Sequence, residues 1–184
     1  SRRLAYMKLA TFQKQTSTEV RSAITKLVET GPIGGLGLDL RGNPGGLLDS
    51  AVQVANQFVG EGIMVRTRGR AWGQSWNHEL AMQPLWRFPL AVLVDGDRAS
   101  ASEILAGAIR DHRRGILIGT RTYGKGSVQS IFPLQSQRTG LRLTTAKFFS
   151  PNDHAFELVG VQPDVVVPRR IIDAFGEEEP APKK

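Results

Sequence analysis

Cysteine is missing from all 184 residues. That excludes disulfides, thiol nucleophiles and cysteine-ligated metals. It suits an exported protein without disulfides, and many cytosolic proteins equally. No apolar run approaches the length of a membrane-spanning helix. The opening SRRLAYMKLATF turns polar too soon for a signal peptide and lacks a cleavage site. Histidines number three, His78, His112 and His154. His78 and His154 stand in irregular stretches with nothing triad-like around them.

The composition is ordinary for a globular chain, 40% hydrophobic and 22% charged. The length suffices for one domain with a sizeable core. The net charge of +7 permits attraction to nucleic acid or to an anionic membrane face. The basic residues are scattered, however. Arg66, Arg68 and Arg70 stand together, as do Arg110, Arg113 and Arg114, and neither group interleaves with aromatics as a nucleic-acid platform would. A solubilising surface accounts for them, and no nucleic-acid partner is expected. RDHRRG closes an expected helix, where cations suit the dipole.

Hydrophobic periodicity predicts strands over 4–10, 34–40, 62–69, 89–96 and 115–119, and helices over 16–29, 47–60 and 99–112. Thr16 with Glu19 has the pattern of a capping box. Val20, Ile24, Leu27 and Val28 share one face of the first helix, which Gly31 and Pro32 stop. Leu48, Ala51, Val52, Ala55 and Phe58 face inward from the second. Residues 70–87, which carry all three tryptophans, read as irregular. Residues 127–134 and 141–149 read as paired strands around QSQRTG, and 159–167 ends the compact part. The expectation is an α/β core, a mixed sheet with packed helices, plus an antiparallel hairpin portion. The protein core spans 1–168, and 169–184, with EEEPAPKK, reads as a flexible tail.

GTRTYGKG (119–126) nearly matches a phosphate-binding loop. Such a loop joins a strand to a helix whose N-terminus faces the anion. Here GSVQSIFPL follows, alternating, β-prone and interrupted by proline, and Gly126 occupies the place of the metal-binding hydroxyl. The nucleotide reading fails. What remains is Lys125 between two glycines, on this segment alone an ordinary turn lysine.

DGDRASASEILAGAI puts Ser100 and Ser102 in or near the first turn of a helix. Capping explains either serine. A nucleophile is the alternative, since unpaired N–H groups there would stabilise an oxyanion. A serine nucleophile needs a base. His112 and Asp111 lie too far along the same helix, roughly 18 Å at 1.5 Å per residue for His112. A lysine serves if a dry pocket keeps its amine neutral. Lys125 qualifies if its strand runs beside the serine helix. Gln129 shares its side-chain parity and could orient the amine. In RGNPGG, Gly45 and Gly46 can turn N–H groups inward, though a tight turn explains that string as well.

Five strings, GLGLDLRGNPGGLL, ASASEILAGAIRDH, TYGKGSVQ, LRLTTAKFFSPND and GVQPDV, come in the order found in the C-terminal processing proteases, also called tail-specific proteases. Together they cover nearly all of residues 4–167, and the chain resembles that family. The resemblance implies a crotonase/ClpP-like spiral core and a serine endopeptidase with a Ser–Lys dyad. The nucleophile maps to Ser100 rather than Ser102, because Ser100 keeps the family's separation of 25 positions from the lysine, here Lys125. Gln129 matches the supporting glutamine, and Ala101 with Gly46, preferred over Gly45, matches the oxyanion hole. Asp111 matches an acidic position and reads as structural. No metal or cofactor is implied. The implied partners are C-terminal segments of unfolded proteins, in an extracytoplasmic compartment such as the periplasm, with peripheral membrane association left open. The family carries a small residue near Arg98 and an acid near Thr120, and this chain does not. Many members carry a PDZ domain before the segment matching residue 1, and the opening SRRLAYMKLATF reads as the join after it. The alternatives are a non-catalytic peptide-binding module on the same fold, and a truncated core whose site is not assembled.

Overall fold

A computed structural model describes residues 3–168 apart from 71, 72, 74, 82, 83, 98, 99 and 135–138, together with 171–172 and 178–179. Two sheets hold the strands of the core. The first is wholly parallel and holds β1 (Arg3–Lys8), β2 (Ile33–Asp39), β5 (Leu90–Val94), β6 (Ile116–Gly119) and β9 (Val165–Val166), side by side in that order. The second is antiparallel. It holds β3 (Glu61–Gly69), β4 (Trp76–Ala81), β7 (Ser127–Leu134) and β8 (Thr139–Phe149) in the order β4-β3-β8-β7. Three helices complete the core, α1 (Thr16–Glu29), α2 (Leu48–Asn56) and α3 (Ala101–Asp111). The α/β class with an antiparallel hairpin portion is what is found.

Successive strand side chains alternate between faces, and the parallel sheet uses this asymmetrically. Leu36, Leu38, Val92, Val94 and Leu117 point into a core shared with Val20, Ile24, Ala51, Phe58, Leu105 and Ile109. Leu4, Tyr6 and Ile116, on the other face, are exposed. Among the described residues no helix is long and apolar enough to cross a membrane.

Helix α1 begins and ends where the periodicity places it, but not by the expected cap. The residue before it is Gln15, which makes no side-chain cap bond. Thr16 Oγ1 instead accepts the Gln13 N–H at 3.0 Å, and the Glu19 N–H goes to the Gln15 carbonyl. Val28 is exposed rather than inward. Helix α2 is shorter than expected, and Val54 joins Ala51, Ala55 and Phe58 in the core. The irregular 70–87 stretch contains β4, paired antiparallel with β3 from Glu61↔Ala81 to Thr67↔Trp76. Val165–Val166 pairs in parallel with β6 and closes one edge of the first sheet. Most of 169–184 lies outside the described residues. Within it, β10 (Ile171–Ile172) pairs antiparallel with β11 (Glu178–Glu179).

Because β2, β5 and β6 are neighbours and parallel, their carboxyl ends lie side by side. The three connections leaving those ends are the RGNPGG turn, the 95–100 turn into α3, and the 120–126 loop into β7. Crevices at the carboxyl ends of parallel strands are the usual ligand positions in such sheets. The fold thus gathers three motifs that lie far apart in the chain.

Candidate active site

Ser100 is half-buried and stands at the N-cap of α3 with φ 73° and ψ −122°. Positive φ is costly for any residue with a Cβ. A strained residue on a sharp strand-to-helix turn is a recurrent way to present a nucleophile. The next N–H, that of Ala101, lies in the first helical turn, where the helix supplies no acceptor. Ser102 behaves differently. It is buried, and its Oγ–H donates to the Asn43 carbonyl at 3.2 Å. That bond joins α3 to the RGNPGG turn.

Glu103 is the group that the residue pattern did not single out. It is 1% exposed and carries the loop of Lys125. Its Oε1 accepts the Thr122 hydroxyl and, at 2.6 Å, the Gly124 N–H. Its Oε2 accepts the Lys125 N–H at 2.8 Å and the Ser100 N–H at 3.3 Å. One carboxylate oxygen therefore holds the backbone of both the serine and the lysine. Their two nitrogens lie no farther apart than those two bonds laid end to end. The signal was present as S-x-x-E, the capping-box spacing of Ser100 and Glu103. Its reach to 122–125 was not.

The opposite side of the lysine loop is stapled to residues 156–161. Leu158 N–H donates to Gly124 O at 2.9 Å, Thr122 N–H to Val161 O at 3.1 Å, and Val161 N–H to Thr122 Oγ1 at 2.7 Å. A Cβ on Gly126 would lie 2.2 Å from the Glu157 nitrogen. The glycines flanking Lys125 thus permit backbone-to-backbone packing, and strand β7, not a helix, follows. This agrees with rejection of the phosphate-loop reading. The Lys125 side chain is exposed rather than enclosed in a dry pocket. Gln129 lies on β7 opposite Thr144, just after a register shift, and is also exposed. No hydrogen bond among the described residues joins Ser100 Oγ, Lys125 Nζ and Gln129.

In the RGNPGG turn the two glycines differ. Gly45 is buried and its N–H donates to Asn43 Oδ1 at 2.8 Å. Gly46 is exposed, with φ 140°, and a Cβ there would sit 2.1 Å from the Phe12 carbonyl oxygen. Its N–H meets no acceptor among the described residues. Behind the turn, buried Asp39 takes the Tyr6 hydroxyl at 2.6 Å, and at 2.9 Å both the Arg41 backbone N–H and a two-pronged Arg41 guanidinium. Burial pushes the Asp39 carboxyl up, but the Arg41 and Tyr6 hydrogen bonds outweigh it and hold the group down at about 2. Their own hydrogen bonds to Asp39 raise both Arg41 and Tyr6 from their ordinary values.

A cleft of about 560 Å³ opens at the strand ends, lined by Lys8, Arg41, Asp95, Ile118 and Thr120 among others. Ser100, Lys125 and Gln129 do not line it, so its size says nothing about their chemistry. The remaining titratable groups are placed elsewhere. Asp111, at the far end of α3, accepts the Ser150 hydroxyl and the Asn152 N–H, a structural tie as expected. His154 lies beside it, and His112 is half-buried with Nε2 2.7 Å from the Ile63 carbonyl. Arg114 caps the carbonyls of Phe58, Trp86 and Phe88. Arg68 pairs with Asp153. No group of three potential metal ligands occurs among the described residues. Arg98 lies outside the described residues.

Known proteins resemble nearly the whole of this chain. The chain is 40% identical to a carboxy-terminal-processing protease of Bartonella bacilliformis, over 98% of this chain and 40% of that protein. It is also 40% identical to a carboxyl-terminal-processing protease of Synechocystis, over 92% of this chain and 39% of that one. Among solved structures, a photosystem II D1 C-terminal processing protease superposes with a TM-score of 0.83 at 36% identity, covering 94% of this chain and 45% of that chain. The chain spans about two fifths of the length of these curated relatives. Residues 3–167 match Peptidase family S41. From the ordered motifs, the fold and these matches together, the chain belongs to peptidase family S41.

Proposed function

We propose that this chain is the catalytic core of a serine endopeptidase that uses Ser100 and Lys125 as a dyad and acts on C-terminal segments of unfolded proteins. The observation that carries the reading is the single Glu103 oxygen receiving both the Ser100 and the Lys125 N–H. A capping carboxylate alone would not need the lysine's loop.

In the proposed reaction the substrate lies extended across the strand ends. Lys125, as the free amine, takes the proton from Ser100 Oγ as that oxygen adds to the scissile carbonyl. The carbonyl oxygen becomes an oxyanion held by the Ala101 and Gly46 N–H groups. As the C–N bond breaks, the Lys125 ammonium gives its proton to the leaving amine. Water then adds to the acyl ester, again losing its proton to Lys125, and the carboxylic product leaves as Ser100 regains its hydrogen. Gln129 orients the amine with a neutral hydrogen bond. A substrate chain laid over Lys125 would exclude water and penalise the ammonium form. Catalytic hydrogen bonds commonly tighten only when substrate is bound. The proposal includes an extracytoplasmic compartment, after the family resemblance.

The exposure of Lys125, with no bond to Ser100, favours a second reading in which this chain binds peptides without cleaving them. A labelled peptide with a free C-terminus, incubated with the chain and with Ser100→Ala and Lys125→Ala, separates the two. Cleavage lost in both variants supports the dyad. Cleavage by Lys125→Ala at the unmodified rate removes the lysine's role. Binding without cleavage in all three favours the second reading.

A further inference from the structure

We propose that Asn43 and Ser102 are positioning residues for the oxyanion site. Asn43 takes the Gly45 amide out of use so that Gly46 is the donor, and Ser102 fixes that donor relative to Ser100. The inference rests on the Ser100–Lys125 reading and goes beyond it, because neither residue touches the reacting atoms.

Asn43 is 1% exposed and uses every polar group it has. Its backbone N–H donates to Leu40 O at 3.0 Å, and its Nδ2 donates to Leu9 O at 2.9 Å. Its Oδ1 accepts the Gly45 N–H at 2.8 Å, and its carbonyl accepts Ser102 Oγ–H at 3.2 Å. The side chain thus links the segment after β1 to its own turn, and the backbone carbonyl links that turn to helix α3.

Gly45 is fully committed as a result. Its N–H is on Asn43, and its carbonyl takes the Phe12 N–H at 2.9 Å and Thr11 Oγ1 at 3.0 Å. It cannot also serve an oxyanion. Gly46 is the next amide, is exposed, and must be glycine because the Phe12 carbonyl occupies the space of any Cβ. The Asn43 side chain therefore decides which of two adjacent glycines presents an N–H.

Ser102 supplies the distance. It lies two residues from the nucleophile within the first turn of α3, so its bond to the Asn43 carbonyl anchors the turn to the nucleophile's own backbone. An oxyanion donor acts only if it is aimed where charge develops in the transition state. Displacing it should slow chemistry and leave ground-state binding of the peptide alone.

The test uses Asn43→Ala, Ser102→Ala and Ser102→Thr in this chain, with Ser100→Ala as the reference for the dyad reading. The first readout is the rate at which an alkyl fluorophosphonate labels Ser100, since its phosphoryl oxygen occupies the oxyanion site. The second is affinity for an uncleaved peptide. The third is amide exchange of Gly45 and Gly46 by NMR. Asn43→Ala is expected to slow labelling by about 10- to 100-fold, short of the roughly 100- to 1,000-fold seen when a donor is removed outright. Ser102→Ala should slow it about 10-fold, with Ser102→Thr restoring the rate and peptide affinity changing less than about twofold throughout. In the unmodified chain the Gly45 amide should exchange slowly and the Gly46 amide fast, and Asn43→Ala should release Gly45. Labelling of Asn43→Ala or Ser102→Ala at the unmodified rate overturns the proposal. So does a Gly45 amide that exchanges as fast as Gly46, or a Ser102→Thr chain as slow as Ser102→Ala. An unmodified chain that takes no label counts against the Ser–Lys reading, and the Gly45 exchange rate then decides the Asn43 arm alone. If Asn43→Ala does not fold, the two Ser102 variants carry the test.

Discussion

The Lys125 backbone N–H donates at 2.8 Å to the same Glu103 oxygen that accepts the Ser100 N–H. Lys125 follows Glu103 by 22 positions, with a β-strand between them, yet the carboxylate fixes the lysine's loop to the first turn of the serine's helix. Removing it strands buried donors. Glu103→Ala leaves the Thr122 hydroxyl and the Gly124 N–H unpaired in the interior. Each lost partner costs about 1–3 kcal/mol, so a loss of several kcal/mol in urea denaturation is expected. Glu103→Gln keeps the shape but turns an amide donor toward donors. Its expected signature is a smaller stability loss with hydrolysis reduced at least about 100-fold, as misplacing catalytic groups by about 1 Å commonly does. A Glu103→Gln chain with full activity would show that the shared oxygen is not what aligns the pair.

The strained backbone of Ser100 makes a second prediction, one that separates two truncations by stability. Ser100→Ala and Ser100→Gly should both abolish cleavage. Only glycine accepts φ 73° and ψ −122° without strain. A residue held in such a region costs about 1–3 kcal/mol, and alanine is the poorer N-cap by a further several tenths. The glycine variant should therefore be more stable than the alanine variant by about 1–3 kcal/mol. Paired urea titrations with matched slopes decide it. Equal midpoints would mean that the turn relaxes when the serine is lost.

The unequal legibility of the chain follows from where each signal resides. Helix α1 and strand β7 stand at the residues that periodicity placed them, because Gly31–Pro32 stops one and alternation with Pro133 marks the other. Strand β4 was hidden because Trp76, Asn77 and His78 look like loop residues until β3 pairs with them. Motif order singled out Ser100 and Lys125, and the fold brings both backbones to one Glu103 oxygen. Glu103, Asn43 and Ser102 were not seen in the roles found, although their residue types were in view. The bonds that tie them to other segments reach partners 19 to 59 residues away, and these are visible only once β2, β5 and β6 lie side by side. The Thr16–Glu19 capping box failed for a related reason. The chain entering α1 turns so that the Gln13 N–H reaches Thr16 Oγ1 first.

Asp39 sets a pH dependence of stability. Its carboxyl is buried, which favours the neutral form, but the bonds from Arg41 and Tyr6 prevail and hold it at about 2, against 3.8 when unperturbed. A depressed folded-state value means that the contribution is complete above the unfolded value. It is lost as the pH falls from there toward 2. The difference corresponds to about 2 kcal/mol. Urea denaturation between pH 6 and pH 2 should show this loss, concentrated below pH 4. Asp39→Asn should flatten that part of the curve and lower stability at pH 6. If the Asn variant loses as much between pH 4 and pH 2 as the unmodified chain, other carboxylates carry the acid transition.

Gly126 gives the sharpest test of the packing behind the lysine. A Cβ there would lie 2.2 Å from the Glu157 nitrogen and 2.8 Å from its Cα, both backbone atoms with no rotamer to adopt. Gly126→Ala must therefore move the 120–126 loop or the 156–160 turn. Overpacking of this kind costs about 1–3 kcal/mol, which leaves a folded chain with Lys125 displaced. Cleavage and fluorophosphonate labelling of Ser100 should both fall well beyond what the stability loss explains. Gly37→Ala is the matched control. Its Cβ would make ordinary contacts of 3.8 and 3.9 Å on the exposed side of the parallel sheet, and neither stability nor labelling should drop. If Gly126→Ala labels as fast as Gly37→Ala, the backbone clamp on the lysine's loop has slack enough to absorb a methyl group, and the position of Lys125 is set by the substrate rather than by the fold.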